Sequence, residues 1–483
     1  MKQSLIRIGC FAAILCLILY IWNTVFKLKD GDGIYGMTTF YEQERNTVDV
    51  LFLGSSHAFE NINTGVLWDD YGMSSYVLGG AIQPMWSTYA YLKEALKTQN
   101  PRLIVLEAYC TMFPDEYSDD SRIILNNFGM KWSPDKMAAL KESVPKERWS
   151  EFFLEYTQYH ARYRELSEAD FLPDQGNPLF RDWKGFGCNL DTEPHSYRDI
   201  TGIKEEDPLT GKTETWYRRV IELVLEKKIP LVVIISPYPG IAPDEQRKFN
   251  TAEKIASEYN VPFVNFNFHT NEMGLDYSED AGDISHLNYR GNPKYTRYLG
   301  TYLHGLYDIP DHRGDPKYAS WQRNADFIRQ MISDQEMADT EDPDALFQRI
   351  RGDHLQTFIS VDGECSSSDQ QLRKYLTAAG ITGEGRSGIW VFEGENCREL
   401  TGPVENDLYR SLSSHDIHLK RAQVTDRETG MPVWKNSMVI DNKEYVRVRN
   451  GINVVVFDSM TEKVADSFGI NADDGCSLVR KKK

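Results

Sequence analysis

The chain has 483 residues, of which 26% are charged and 12% are aromatic, and its formal net charge is −18. A chain of this length is typical of about three domains, and its aromatic content supports substantial hydrophobic cores. The strong negative charge argues against nucleic acid and against an anionic membrane surface as partners, because both would repel it.

The N-terminal segment from Ile8 to Trp22 is apolar and uncharged, and residues 23–26 extend it to nearly the thickness of a bilayer. Lys2 and Arg7 precede it, which favours a cytoplasmic N-terminus. A cleaved signal peptide is the alternative, but the apolar run is long for one and no small-residue cleavage pattern follows it. We therefore expect residues 1–30 to be a cytoplasmic stub and a single transmembrane anchor, with the bulk of the chain outside the cytoplasm at the cell membrane.

Short β-rich runs alternate with amphipathic stretches after the anchor. The predicted strands are 48–53, 102–106, 231–235 and 262–266, and the predicted helices are 87–98, 213–226, 244–259 and 292–306. Apolar strands separated by helices are typical of an α/β fold with a mostly parallel sheet covered by helices on both faces. Residues 31–318 are predicted as this domain. An aromatic-rich insertion at about 111–211 interrupts it, and its aromatic side chains could form a core or line a carbohydrate-binding cleft.

The C-terminal part, residues 319–483, begins with a helical stretch at 321–332 and then changes character. Strand candidates follow at 356–361, 388–392, 437–440 and 452–457, with one helix at 372–379. This pattern predicts a separate α+β domain. Five cysteines outside the anchor are scattered and odd in number, which does not indicate a disulfide framework, although a Cys365–Cys397 bridge is possible.

Two short segments carry the residue types of an acyl-transfer site: residues 54–57 (GSSH) end the first strand, and residues 283–286 (DISH) precede the last helix of the α/β domain. A serine hydroxyl becomes a nucleophile when an imidazole accepts its proton, and a carboxylate holds that imidazole in the required tautomer. We expect Ser56, His286 and Asp283 in these three roles. An ordinary glycine–serine turn and a helix cap at Asp283 are the alternatives. This chemistry requires no cofactor.

These segments resemble the SGNH/GDSL-type hydrolases, over about residues 45–305. The family has Gly-x-Ser after its first strand, glycines after a second segment and Asp-x-x-His before its last helix. The resemblance implies a three-layer fold, catalysis by Ser56, Asp283 and His286, and an oxyanion hole at Ser56 with Gly79 or Gly80. The family's asparagine after the next strand is absent, since residues 107–110 read EAYC.

The GSS opening, the aromatic insertion and the anchor are most similar to membrane-anchored cell-surface acyl-transfer proteins, of the D-alanyl transfer and alginate O-acetylation types. This similarity implies a serine esterase or O-acyltransferase that acts on a cell-envelope or secreted glycan or an acylated small molecule. It also implies a membrane-bound O-acyltransferase as partner. The absent asparagine leaves a second hypothesis open, a catalytically weak scaffold that binds a glycan or that partner.

The C-terminal part also resembles a known family. Residues 355–362, 375–380, 388–392 and 449–458 are similar to the interleukin-like EMT inducer domain, a small lectin-like fold. The similarity implies that residues 319–483 form a binding module.

Other side chains are candidates for substrate contact. His57 follows the candidate nucleophile and could touch substrate or make a structural contact. His160 and Arg162 in the insertion could meet an anionic or sugar group. His415 and His418 are metal-ligand types but lack a fourth ligand at suitable spacing, so no metal site is predicted.

Overall fold

The computed structural model describes residues 2–28, 31–153, 155–171, 183–363, 370–381, 387–394, 396–401, 405–412, 415–425 and 430–480. The chain divides into two compact units, Met1–Ile328 and Arg329–Lys483. Cys365 of the predicted bridge lies outside the described residues.

The first unit contains a run of helices and five strands. The helices are α1 (Lys2–Phe26), α2 (Asp32–Phe40), α3 (Ser56–Phe59), α4 (Thr64–Tyr71), α5 (Met85–Ala95), α6 (Asp120–Asn127), α7 (Pro134–Ser143), α8 (Trp149–Phe153), α9 (Tyr156–Tyr159), α10 (Gly211–Glu226), α11 (Pro243–Glu258), α12 (Thr270–Met273) and α13 (Gly291–Leu306). The strands are β1 (Val50–Gly54), β2 (Ser75–Gly79), β3 (Leu103–Glu107), β4 (Leu231–Ile235) and β5 (Phe263–Asn265).

The five strands form one parallel sheet in the order β2-β1-β3-β4-β5. Successive side chains of a strand point to opposite faces, and both faces are buried here. Leu51 and Leu53 pack with α5, α10 and α11, whereas Val50 and Phe52 pack with α3, α4 and α13. The predicted parallel α/β sheet flanked by helices is therefore confirmed. The strand order reverses between β1 and β3, and ligand sites in such sheets form beyond the strand ends at that point.

Helix α1 contains one apolar stretch, Ile6–Phe26, with a mean hydropathy of 2.1. Its 21 residues are long enough to cross a membrane. A signal sequence would satisfy the same criteria.

Two features of the first unit differ from the sequence prediction. Strand β2 was not predicted, whereas the segment 283–286 precedes the last helix as expected, because α13 begins at Gly291. The unit also extends past the predicted boundary at 318. The indole of Trp321 is buried and donates to Ser75 O at 2.9 Å, which attaches the start of helix α14 (Ala319–Asp339) to this unit.

The second unit has two antiparallel sheets and two further helices. The helices are α15 (Pro343–Arg349) and α16 (Gln370–Ala378), and the strands are β6 (Leu355–Asp362), β7 (Gly388–Glu393), β8 (Asn396–Thr401), β9 (Asn406–Leu412), β10 (His415–Thr425), β11 (Pro432–Ile440), β12 (Lys443–Glu444), β13 (Gly451–Asp458), β14 (Lys463–Asn471) and β15 (Ser477–Arg480). The sheet orders are β15-β14-β13-β6-β7-β8 and β12-β11-β10-β9. Phe358 and Val455 of the larger sheet pack against Leu419 and Met438 of the smaller one, and α15 and α16 cover the other face of the larger sheet. A separate C-terminal α+β region is thus confirmed.

A pair of buried carboxyl groups lies within this unit. Asp334 is 2% exposed and accepts a hydrogen bond from Thr461 Oγ1 at 2.9 Å. Asp458 is fully buried and accepts from the backbone N–H groups of Met460 and Thr461. Burial, and then the charge of Asp458, raise the pKa of Asp334 to about 7. Asp334 therefore keeps its proton at mildly acid pH.

Candidate active site

The structure brings the three residues of the predicted triad together. Ser56 Oγ lies 2.8 Å from His286 Nε2. On the other side of the imidazole, Nδ1 lies 2.9 Å from Asp283 Oδ2 and 3.0 Å from Oδ1. These distances suit a hydroxyl that donates to an imidazole and an imidazole that donates to a carboxylate.

Ser56 is positioned by the tight connection between β1 and α3. A Cβ atom placed on Gly54 would lie 2.9 Å from Glu107 Cβ and 3.0 Å from Ala58 Cβ, so only glycine fits where β1 passes β3 and turns into the helix. Ser56 is the first residue of α3, at the carboxyl end of β1. This end of β1 is the point where the strand order reverses, which is the expected place for a ligand site.

His286 and Asp283 are held by a turn in the loop before α13. Asp283 Oδ1 accepts the backbone N–H of Ser285 at 2.7 Å and that of His286 at 2.9 Å. Leu287 N donates to Asn61 Oδ1 at 2.9 Å, which attaches this loop to the segment after α3. The same carboxylate therefore shapes the turn and orients the imidazole.

The charges of the triad favour an imidazole that can take up a proton. Burial alone would lower the pKa of His286, but its hydrogen bond to Asp283 and the charges of Glu60 and Asp283 raise it overall. Burial alone would raise the pKa of Asp283, but its bonds to His286 and Ser285 lower it overall. Asp283 therefore stays ionised beside the imidazole.

Glu60 is a second carboxyl group at the imidazole, and the sequence analysis missed it. Its Oε2 lies 3.7 Å from His286 Nδ1, and its side chain is 21% exposed. Burial raises the pKa of Glu60 to about 7; the charge of His286 opposes this effect, and the charges of Asp283 and Asp32 add to it. Glu60 follows Ser56 by four residues, and this helical spacing is the signal that could have identified it.

Asn189 connects the two acidic groups. Its Nδ2 lies 3.5 Å from Asp283 Oδ2, and its side chain also hydrogen-bonds Glu60. Asn189 belongs to the loop-like end of the insertion, where no motif in the sequence distinguishes it.

The candidate oxyanion glycines lie beside the nucleophile turn. Gly79 ends β2 next to Gly54, and a Cβ on Gly79 would lie 2.7 Å from Gly54 O and 3.3 Å from Ser55 O. A Cβ on Gly80 would lie 2.3 Å from Asn126 Oδ1. Gly79 therefore requires glycine, because a side chain there would clash with backbone atoms, and this lets its backbone approach the site closely.

Glu107 begins the segment 107–110, in which the sequence lacks the asparagine that the SGNH hydrolases have after this strand. It is fully buried at the end of β3, and its two oxygens accept backbone N–H groups of Ser236 and Tyr109, each at 3.2 Å. Burial raises the pKa of Glu107 to about 8, although both hydrogen bonds oppose this effect. The side chain is used within the fold and supplies no amide donor to an oxyanion.

His57 has a packing role rather than the predicted substrate contact. It is fully buried, with its ring stacked 3.5 Å from that of Tyr109 and lying 5.2 Å from that of His286. Burial, and then the charge of His286, lower the pKa of His57 well below its usual value. The burial of this ring therefore favours a structural contact over the predicted substrate contact.

Arg162 is also engaged elsewhere. Its guanidinium donates to Phe26 O at 2.7 Å and to Lys27 O at 3.2 Å, and pairs with Asp170 at 2.8 Å. It therefore holds the carbonyl end of α1 rather than a substrate group. The side chain of His160 lies outside the described residues.

The acidic pair and the imidazole could in principle hold a cation. Glu60, Asp283 and His286 each place one ligand atom within 4.8 Å of the others. A cation bound there would occupy the carboxylate that orients His286, so metal binding and triad chemistry would exclude each other at this site.

The two C-terminal histidines do not converge. His415 Nδ1 lies 2.5 Å from Asp441 Oδ2, and His418 Nε2 lies 2.5 Å from Asp407 Oδ1. Each histidine thus pairs with a different aspartate on a neighbouring part of the sheet.

Comparison with known proteins yields little. No protein-family model matches the sequence, and no curated protein matches it. A solved structure described as a gut microbial diltiazem-metabolizing enzyme aligns over 90% of this chain and 72% of its own, at 11% identity and a TM-score of 0.20. A score this low does not indicate a shared fold.

Proposed function

We propose that this protein is a membrane-anchored serine esterase or O-acyltransferase of the SGNH type, which modifies a cell-envelope or secreted glycan through an acyl-Ser56 intermediate. The observation that carries the proposal is the continuous chain of short contacts from Ser56 Oγ through His286 to Asp283. Three side chains of these types, in this order, are the parts of a nucleophilic acyl-transfer site.

The geometry supports a two-step reaction. Ser56 Oγ attacks the carbonyl carbon of an acyl donor while its proton passes to His286 Nε2. The donor C–O bond breaks, its oxygen takes that proton, and the acyl group remains on Ser56. A sugar hydroxyl or water then gives its proton to His286 and attacks the ester carbonyl. The bond between the acyl carbon and Ser56 Oγ breaks, and His286 passes the proton to Oγ, which regenerates Ser56. Asp283 stabilises the imidazolium that forms in each step.

Three features support the SGNH assignment: a parallel sheet in the order β2-β1-β3-β4-β5, a Gly-x-Ser turn after β1, and Asp-x-x-His before the last helix of the unit. The backbone N–H groups of Ser56 and of Gly79 or Gly80 would form the oxyanion hole. Helix α1, as an uncleaved anchor, would place the first unit outside the cytoplasm beside a membrane-bound O-acyltransferase. The second unit, with its likeness to a lectin-like domain, would bind glycan.

A second candidate function is a catalytically weak scaffold that binds a glycan or the acyltransferase. Glu107 favours it, because the side chain at this position supplies no oxyanion donor. Loss of one such donor typically costs about 10²–10³ in rate. The intact triad favours slow catalysis over none.

The test is to incubate the full chain with p-nitrophenyl acetate, measure ester cleavage and identify the acylated residue by mass spectrometry. We expect an acetyl group on Ser56, and no cleavage by Ser56→Ala. Ser55→Ala is the matched control, because the neighbouring hydroxyl is buried and is not part of the triad. The scaffold function is correct if two results are obtained together. The folded protein forms no adduct, and glycan acylation in cells that contain the acyltransferase is equal for wild type and Ser56→Ala.

The location is tested separately by adding protease to intact cells. We expect the chain after residue 31 to be degraded. Protection of the whole chain would contradict an extracytoplasmic site.

A further inference from the structure

A small cavity lies between the start of α2, the end of α3 and the loop 183–187. Its volume is about 90 Å³. It is lined by four aromatic side chains, four glycines and the exposed carboxylate of α2, namely Tyr35, Phe59, Trp183, Phe186, Gly31, Gly36, Gly185, Gly187 and Asp32. The lining is therefore almost entirely apolar.

One wall of the cavity belongs to the helix that carries the nucleophile. Ser56 and Phe59 are three residues apart on α3, so their side chains share one face of this turn. The next residue, Glu60, contacts the imidazole of His286, and its charge interacts with that of Asp32 in the cavity wall. The cavity thus adjoins the base side of the triad.

The opposite wall touches the candidate oxyanion glycines. A Cβ placed on Gly80 would lie 3.1 Å from Gly33 Cα in the first turn of α2. A Cβ placed on Gly36 would lie 3.6 Å from Gly79 O. Gly36, which lines the cavity, therefore lies beside Gly79 at the end of β2.

The cavity is also fixed in shape. Val77 N donates to Lys184 O at 2.9 Å, and Gly187 N donates to Phe59 O at 2.8 Å. Gly185 has φ +78°, and a Cβ there would lie 1.7 Å from Val77 O, so this loop follows β2 too closely for any other residue. A site of fixed shape can select among ligands by size.

We propose that this cavity binds the acyl group carried by Ser56 and restricts it to a short, uncharged chain of about two to four carbons; the inference rests on the proposed function. The volume exceeds the roughly 10–15 Å³ that one water molecule needs. It is far below the roughly 300–1,000 Å³ of pockets for drug-sized ligands, which a fatty acyl chain would require. The aromatic walls would bury methylene groups and exclude water from the ester.

The experiment measures kcat/KM of the full chain on p-nitrophenyl esters from acetate to octanoate. In wild type, each methylene up to butyrate should raise kcat/KM up to about fourfold, since burying it is favourable, and longer esters should react at least tenfold more slowly than butyrate. Gly187→Leu should fill the cavity, because a Cβ there would meet the Phe59 ring at an ordinary 3.4 Å. This variant should lose at least tenfold more kcat/KM on butyrate than on acetate, because the filled cavity no longer admits the two additional methylene groups.

Gly202→Leu is the matched control, because this glycine is exposed and a Cβ there would have no neighbour within 4 Å. If Gly187→Leu does not fold, Gly36→Val narrows the same cavity from α2. A folded variant whose chain-length profile equals that of wild type would overturn this inference alone, as would an octanoate preference in wild type. Absence of any ester cleavage and of any acyl-Ser56 in wild type would instead overturn the proposed function, and this inference with it.

Discussion

Replacing Asp283 by asparagine removes one negative charge from the site while keeping the shape of the side chain. Asparagine Oδ1 can still accept the backbone N–H groups of Ser285 and His286, which now lie 2.7 and 2.9 Å from Asp283 Oδ1. The amide NH₂ would take the place of Oδ2, 2.9 Å from His286 Nδ1. A donor there favours the tautomer with its proton on Nε2, which cannot accept the proton of Ser56.

We therefore expect Asp283→Asn to lower kcat by about 10⁴-fold, as loss of the correct tautomer does in serine hydrolases. This loss corresponds to about 5.5 kcal/mol of transition-state stabilisation, at 1.36 kcal/mol per tenfold. The unfolding temperature should stay within about 2 °C of wild type, because the turn keeps its two backbone bonds. Asp283→Ala should lose the same activity and also about 1–3 kcal/mol of stability with those two bonds.

The assay is p-nitrophenyl acetate cleavage, with thermal unfolding followed by circular dichroism. Asp276→Asn is the matched control, since Asp276 shapes a similar turn by accepting Ser278 N at 3.0 Å but does not contact the imidazole. Residual activity above a tenth of wild type in folded Asp283→Asn would refute the assigned role of Asp283. An equal loss of activity in Asp276→Asn would show that the loss comes from disturbing a loop turn and not from the contact between Asp283 and the imidazole.

Two further predictions concern pH. Glu60→Gln removes a charge that raises the pKa of His286, so the acid limb of the kcat/KM profile should move to lower pH. The plateau should fall about tenfold, which corresponds to one pKa unit of imidazolium stabilisation. If the acid limb is unchanged relative to the exposed control Glu226→Gln, Glu60 does not act on His286. The pKa of Asp334 is higher in the folded than in the unfolded protein, so the folded protein binds this proton more tightly. The free energy of unfolding therefore falls as pH rises from about 4 to about 7. Asp334→Asn should abolish this decline and stabilise the second unit at pH 8 by up to about 4 kcal/mol, at 1.36 kcal/mol per pKa unit. Calorimetry that finds the decline unchanged would contradict the raised pKa of Asp334.

The sequence predicted the buried strands of the first unit well because uninterrupted apolar runs have few other stable placements. The run LVVII at 231–235 coincides with β4, and α10 and α11 begin within two residues of their predicted starts. Strand β2 was missed because SYVLG carries serine and glycine at its ends, and its burial on both faces depends on neighbours distant in sequence.

The polar strands of the second unit were missed for a different reason. In β9 the side chains alternate between exposed and half-buried, and charged residues occupy much of β10. The preference of a residue for a strand depends strongly on its neighbours in the sheet, so the sequence of such a segment does not by itself indicate a strand. His415 and His418 could therefore be recognised only as residues of metal-ligand type, and not as members of one strand whose side chains pair across the sheet.

The residues of the candidate site also fall into those that could be predicted from the sequence and those that could not. Ser56, Asp283 and His286 could be predicted because their chemistry requires particular types in particular local settings. Glu60 and Asn189 could not be predicted, because only the fold brings them next to the triad. The burial of His57 could not be predicted either, because its position beside a candidate serine does not indicate whether its side chain is exposed.

The arginine contact at the end of α1 has a consequence for where this protein can work. Arg162 binds the carbonyl groups of Phe26 and Lys27, and α2 begins at Asp32. Five residues, 27–31, lie between the helices, and even a fully extended tether of that length reaches only about 18 Å. With α1 in a bilayer, Ser56 would remain within a thin layer above the lipid headgroups. Under the proposed function, polymers that extend farther from the cell would be acylated only where they pass close to the membrane, so the reach of the modification would follow from the length of this tether.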